Sequence, residues 1–229
     1  MHLMVRQVFR RFNEPMEGVV PFMYLDIKGL VTVGVGNLVD PVNYATSLPF
    51  QWKVKTGVAK GGQKATAAEI SEEWNRLKAD KTLAQKGHRA CKAITNLELT
   101  DAAIDNLIAM RLESNEKILK KYAAFQNFDQ WPADAQLALH SMAWAMGAGG
   151  PAKFATLCTA CKKLDFATAA NNCKMKEAGN PGLIPRNRAN KHLFANAAAV
   201  VAGEADGFYD KTRLYFPTVL MPPVIITGN

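Results

Sequence analysis

Apolar residues Val5, Val8, Phe9 and Phe12 recur at spacings of three and four, which predicts a short helix from about Met4 to Phe12. Pro15 is expected to end it, because the residue before a proline resists helical geometry, leaving Glu17 just past a helix terminus. The period then changes. Phe22-Met23-Tyr24-Leu25 and Leu30-Val31-Thr32-Val33 are short apolar and β-branched runs, separated by Asp26-Ile27-Lys28-Gly29. An Asp to start a turn and a Gly free to take positive φ make this stretch a β-hairpin. Gly34 and Gly36 follow and leave backbone without side-chain cover, where a ligand or another strand can approach. The stretch 40–64 is irregular, broken by Pro41, Pro49, Gly57, Gly61 and Gly62, with Phe50 and Trp52 as its anchors to the body.

Helical periodicity returns at Thr66, an N-cap with Glu69 three residues on, and runs through Ile70, Trp74 and Leu77 to about Leu83. Thr100 is a second capped start, with Asp101 in the first turn and Ile104, Leu107, Ile108, Met110 and Leu112 leading toward Leu119. Pro132, placed in a first turn, opens a helix through Leu137, Leu139, Met142 and Met146 that stops at Gly147-Ala148-Gly149-Gly150. Further helices are expected from Lys153 to Lys163, from Phe166 to about Glu177, and from about Pro185 to Gly203. Beyond Phe208, Pro217, Pro222 and Pro223 among apolar residues predict an extended arm packed on the body. The fold class is therefore α+β, mainly α, in one domain over 1–229 with two lobes and a cleft between them. A hairpin lobe with an irregular extension covers 13–64, an inserted helical segment 65–99, a larger helical lobe 100–207 and the tail 208–229.

Composition adds bounds rather than chemistry. At 229 residues with 48% apolar and 21% charged residues, the chain can bury a real core, and disorder is not its default state. A net charge of +8 favours polyanionic surroundings, but the basic residues are scattered among acidic ones and form no nucleic-acid-binding arm. The opening Met1-His2-Leu3-Met4-Val5-Arg6-Gln7 lacks the marks of a secretory signal, and no apolar run is long enough for a membrane span. A protein made in the cytoplasm without stable membrane insertion is expected. Cys91, Cys158, Cys161 and Cys173 are too few and too uneven for a disulfide scaffold. Cys158-Thr159-Ala160-Cys161 has no second pair or His run to complete a zinc site, so thiols, or one pair oxidised after export, are expected rather than a metal.

Candidate chemistry concentrates in one short stretch. Glu17 follows a helix, Asp26 starts the hairpin turn and Thr32 lies on its return strand. Two carboxyl groups held on opposite sides of a bond are the minimum equipment for hydrolysing a glycoside. Glu17, beside the apolar residues of the hairpin, suits a general acid, because partial burial disfavours its charged form. Asp26 also has a structural use, since turn aspartates cap their own backbone. No cofactor or metal is implied.

The string Glu17-Gly18, then Asp26, Gly29, Thr32, Gly34 and Gly36, resembles the active-site segment of the T-even phage lysozyme family, glycoside hydrolase family 24. Met142-Ala143-Trp144-Ala145-Met146-Gly147 with Phe154, Phe166 and Asn172 is similar to helices of that family's larger lobe, and Pro185-Arg186-Asn187-Arg188-Ala189 to the start of its last catalytic-side helix. The resemblance runs from about Met4 to Gly203; the region from Asp40 to about Leu99 is longer than the family's connection, and the tail after Phe208 has no counterpart. It implies a lysozyme-like two-lobed fold and a muramidase cutting the β-1,4 bond between N-acetylmuramic acid and N-acetylglucosamine. Asp26 would then activate a water that Thr32 holds, by inversion, with Arg188 orienting the Glu17 carboxyl and Gly36, Leu38, Trp144 and Asn172 lining the sugar cleft. Asn37 and Ala145 stand where the family usually has His and Gln, which alters that lining.

The partner implied is peptidoglycan, met by a monomer that does not bind nucleic acid. The protein would reach the wall in the periplasm or outside the cell, as an endolysin released through holin pores or as an antibacterial effector with a cognate immunity protein in its producer. The competing expectations are a related chitinase, a lytic transglycosylase, or a weakly catalytic wall-binding toxin module.

Overall fold

Helix α1 runs from Leu3 to Glu17 in the computed structural model, which describes residues 1–54 and 59–222. Gly57, Pro223 and the expected arm beyond residue 222 lie outside the described residues. Contrary to the expectation from its sequence, Pro15 does not end α1 but sits in its last turn, so Glu17 is the final helical residue rather than one just beyond it. A proline there forgoes a single backbone bond, and the buried stripe of Val5, Phe9 and Asn13 carries the helix past it. Gly18 stops the helix with a φ of +71°, a left-handed conformation that costs glycine nothing.

The fold is α+β and mainly α, and the chain forms two compact units. One is Glu17–Ala109; the other joins Met1–Met16 to Met110–Asn229. In the first, the hairpin unit, β1 (Val20–Leu25), β2 (Val31–Gly34) and β3 (Asn37–Leu38) form an antiparallel sheet in that order. Leu25 pairs with Val31, both buried, while Tyr24 pairs with Thr32 and Thr32 with Leu38. The irregular stretch holds a short helix α2 (Val42–Thr46) and a strand β4 (Gln51–Trp52), anchored by fully buried Phe50.

Helix α3 (Ala67–Ala79) opens with the expected capping box: Thr66 accepts from the Glu69 N–H, and the Glu69 carboxylate accepts from the Thr66 N–H. It ends at Ala79 instead of continuing to Leu83, because Asp80 turns the chain by accepting from the Thr82 N–H and hydroxyl. Two short helices absent from the sequence expectation follow, α4 (Leu83–Lys86) and α5 (His88–Ile94), then β5 (Leu97–Glu98), which pairs with β4. Helices α3 and α5 both pack on β1, so the longer connecting region is built onto the hairpin sheet. A buried polar cluster ties it down: Lys53 donates to the Thr95 carbonyl and hydroxyl, and Glu73 accepts from the Asn96 and Leu97 N–H groups. Helix α6 (Asp101–Leu119), capped by Thr100 as expected, contributes residues to both units.

The helical unit is organised around α7 (Ala133–Met146), whose residues from Ala133 to Trp144 are all buried. Pro132 is its N-cap rather than a first-turn residue, and Gly147 ends it at a φ of +81°. Helices α8 (Ala155–Lys162), α9 (Phe166–Asn172) and α10 (Leu183–Glu204) follow, with α10 packed on both α7 and α9. Helix α9 stops at Asn172, well short of Glu177, and Asn187 of α10 holds the next segment through the Met175 N–H and carbonyl. The described part of the tail docks on buried Asp134, which accepts from the Tyr215 and Phe216 N–H groups and from Asn196. The cysteines are thiols, three buried and Cys158 half-buried, and no group of metal-binding side chains forms among the described residues.

His140 lies at the centre of α7, fully buried, with the Phe128 ring edge-on at 5.3 Å and Phe9 at 6.4 Å. Neither ring nitrogen has a hydrogen-bond partner among the described residues, and burial pushes its pKa down from 6.5 to about 4. The folded protein thus keeps His140 neutral where the unfolded chain protonates it. Its contribution is fully present above about pH 6.5 and is lost as the pH falls toward 4, by on the order of 3 kcal/mol. Denaturant titrations of wild type and His140→Leu between pH 7 and 4 should diverge by that amount, with the variant the less sensitive to acid.

Candidate functional site

Glu17, Asp26, Thr32, Gly36 and Leu38 all belong to the hairpin unit, whereas Trp144, Asn172 and Arg188 belong to the helical unit. Asp26 occupies the turn between β1 and β2. Its carbonyl accepts from the Gly29 N–H at 2.9 Å and its N–H donates to the Leu30 carbonyl at 2.9 Å, with Gly29 at a φ of +72°. One carboxylate oxygen, Oδ1, accepts from the Lys28 N–H at 2.8 Å and the Leu30 N–H at 2.9 Å. The structural use of a turn aspartate is therefore fulfilled, and it engages only one of the two oxygens. The turn is braced by Lys78, which donates to the Gly29 carbonyl at 2.8 Å and to Asp40 Oδ2 at 2.7 Å, while that same oxygen accepts from the Val31 N–H.

Thr32 is buried on β2, and its hydroxyl donates to the Leu30 carbonyl at 3.3 Å. That leaves the hydroxyl oxygen as an acceptor. Paired residues on adjacent antiparallel strands project to the same face, so Tyr24, Thr32 and Leu38 form one row across the three strands. Leu38 is 52% exposed at the end of that row. Gly36 takes a φ of +78° in the tight connection between β2 and β3, and a Cβ there would meet nothing within 4 Å. Glycine is required at this position by backbone conformation rather than by crowding.

Glu17 is exposed, not partly buried as its place beside an apolar hairpin suggested, because it ends α1 next to the glycine that turns the chain. Tyr24 reveals its relation to Asp26. This half-buried phenol has its pKa raised by burial first, then by the negative charges of Asp26 and Glu17. One side chain of the sheet thus feels both carboxylates. Tyr24 was not singled out by sequence reasoning, although its place two residues before Asp26, on the strand facing Thr32, was readable from the hairpin register.

In the helical unit, Trp144 is core. Its ring packs on Phe9 at 4.9 Å, the Arg111 guanidinium lies 4.0 Å from its centroid, and only 3% of the residue is exposed. Half-buried Asn172 donates to the Thr168 carbonyl within its own helix. Arg188 is exposed and helps line a cavity of about 320 Å³ with Lys174, Glu177 and Lys191. The Glu177 carboxyl there is held below its usual range by Asn187, then Lys174, and more weakly by the charge of Arg188. Two positions earlier on α10, Arg186 is 1% exposed and donates to Asn13 Oδ1 at 2.9 Å and to the Ser141 carbonyl and hydroxyl. The family resemblance singled out Arg188, and helical phase is what distinguishes it from Arg186. Arg186 stands four, seven and eleven residues before buried Asn190, Leu193 and Ala197, and so lies on the inward face.

No protein-family model matches the chain, and no curated protein matches it. The hairpin unit holds two carboxylates whose charges both bear on one phenol, with the buried Thr32 hydroxyl in register with it.

The structural half of Asp26 can be measured separately. Asp26→Ala should cost about 1–2 kcal/mol by leaving two turn N–H groups without their acceptor. Asp26→Asn, whose amide oxygen can accept from both, should stay within about 0.5 kcal/mol of wild type. Chemical denaturation of the two variants gives the comparison.

Proposed function

We propose that the protein is a muramidase, hydrolysing the β-1,4 bond between N-acetylmuramic acid and N-acetylglucosamine in peptidoglycan by an inverting acid/base mechanism. The observation that carries this reading is geometric: Glu17 ends α1, Asp26 closes the β1–β2 turn through one oxygen and keeps the other unused by the turn, and Thr32 lies on β2 with its hydroxyl oxygen left as an acceptor. It joins the resemblance of the Glu17 to Gly36 segment, and of the Trp144 and Arg188 segments, to the T-even phage lysozyme family.

In this mechanism Glu17 donates a proton to the departing glycosidic oxygen. Asp26 acts through Oδ2, since Oδ1 is committed to the turn, and takes a proton from the attacking water. Thr32 accepts the water's other hydrogen, because its own hydrogen is donated to the Leu30 carbonyl. Leu38 and Gly36 would border the bound sugar on the hairpin unit. A net charge of +8 suits an anionic wall. No helix among the described residues is long and apolar enough to cross a membrane. The setting we favour is a monomer delivered to the wall by holin release or dedicated secretion, with an immunity protein in the producer in the second case. A chitinase or lytic transglycosylase would use the same acid on a different substrate or toward a different product.

Zymography on purified peptidoglycan, followed by mass analysis of the fragments, tests the proposal. Wild type should release reducing muramic ends, Glu17→Gln should release none while folding normally, and Asp26→Asn and Thr32→Ala should lose at least about 100-fold in rate. Anhydro-muramic ends would identify a transglycosylase instead, and wild-type clearing by Glu17→Gln would remove the acid assignment altogether.

A further inference from the structure

The mechanism above uses Glu17, Asp26 and Thr32 and leaves Tyr24 idle, yet Tyr24 is the side chain that relates the other three. It sits on β1 in register with Thr32, which is itself in register with Leu38. Its ring meets His88, the first residue of α5, edge-on with centroids 6.3 Å apart, which fixes the body of the side chain. Its hydroxyl, in contrast, does nothing for the fold: no described residue hydrogen-bonds it, and it is not among the sealed polar atoms of the core. A tyrosine held by its ring, in register with Thr32 and with a hydroxyl that no described residue uses, has a donor to offer something that arrives from outside.

The form of that donor is also defined. Burial, then the charges of Asp26 and Glu17, all oppose ionisation of the phenol and push its pKa above the ordinary tyrosine value. It offers an uncharged O–H that does not compete with the acid–base pair for protons. The oxygen-rich surface of a glycan, with hydroxyls, ring oxygens and N-acetyl carbonyls, presents the acceptors such a group fits.

We propose that Tyr24 is a substrate-contacting residue of the hairpin unit, donating its hydroxyl hydrogen to an oxygen of the bound amino-sugar polymer beside Thr32 and Leu38. This rests on the muramidase reading and adds to it a binding contact distinct from the acid and the base. The contact is neutral, so its loss weakens binding of the glycan without changing which groups transfer protons.

The test is Tyr24→Phe, which keeps the ring, its packing on His88 and the strand register while deleting only the hydroxyl. Binding of soluble, uncross-linked peptidoglycan glycan strands is measured by calorimetry in the full-length chain carrying Glu17→Gln, with and without Tyr24→Phe. Loss of one neutral hydrogen bond should weaken affinity about fivefold to twentyfold. In the otherwise wild-type chain, Tyr24→Phe should raise KM by a similar factor with kcat and the pH optimum retained, and the thermal midpoint should stay within about 2 °C. Equal affinity of the two Glu17→Gln proteins would overturn the role of Tyr24 while leaving the muramidase reading intact. A fall in thermal midpoint with unchanged affinity would likewise make Tyr24 merely structural. If wild type releases no fragments and the Glu17→Gln protein binds no glycan, the muramidase reading itself fails and this inference falls with it, an outcome decided before Tyr24 is altered.

Discussion

A single carboxylate oxygen, Oδ1 of Asp26, closes the turn on which the hairpin unit depends. By accepting from the Lys28 and Leu30 N–H groups it fixes where β1 ends and β2 begins. Side chains alternate faces along a strand, so a slip of one residue would carry Tyr24 and Thr32 to the side now occupied by Leu25 and Val31. Gly29, in its left-handed conformation, and the Lys78 bridge to Asp40 hold the same register from the other side of the turn. Because the work of folding falls on one oxygen, the other stays available for chemistry. The same aspartate can therefore be a turn residue and a proposed base without either use opposing the other.

The helical unit solves a different problem. Helix α7 is buried on every side, and a helix in that position must place its polar side chains where partners can meet them. Asp134 receives the backbone of the tail, Gln136 accepts from the His2 N–H and donates to the Phe128 carbonyl, and Ser141 accepts from Arg186. These bonds join the two ends of the chain and α10 to one central element. Burial raises the Asp134 pKa, opposed by the bonds it accepts from Tyr215, Asn196 and Phe216. The indole nitrogen of Trp144 and both ring nitrogens of His140 have no such partner among the described residues; of the two only His140 can take up a proton, which is why acid bears on this core at that residue.

Elements set by local signals were readable from the sequence, and those set by packing were not. The hairpin, the Thr66 capping box, the Thr100 cap and the glycine stop after α7 each depend on a few adjacent residues, and each forms. The end of α1 was misplaced because a proline in a last turn costs little when the helix has a buried stripe. The helical period through Leu83 concealed the Asp80 turn, and α4 and α5 are too short to show a period of their own. Helix α9 was drawn too long for a related reason: the chain after Asn172 is held at Met175 by Asn187, a partner twelve residues away that no local pattern reveals.

The same distinction governs the candidate site. Glu17, Tyr24, Asp26, Thr32 and Leu38 lie on one helix end and one small sheet, so turn geometry and the two-residue strand period suffice to relate them. Residues of the helical unit have no such frame, and for them only helical phase can be read. Residues two apart on a helix point about 200° apart, so Arg186 and Arg188 must face opposite ways on α10. The row of Asn190, Leu193 and Ala197 decides which way, turning Arg186 inward to Asn13 and Ser141 and Arg188 outward beside Glu177. A guanidinium buried to 1% exposure is costly to desolvate and is kept only where its hydrogen bonds are supplied. Arg186 is therefore a fixed part of the helical core, and Arg188 is a surface cation whose charge bears on Glu177.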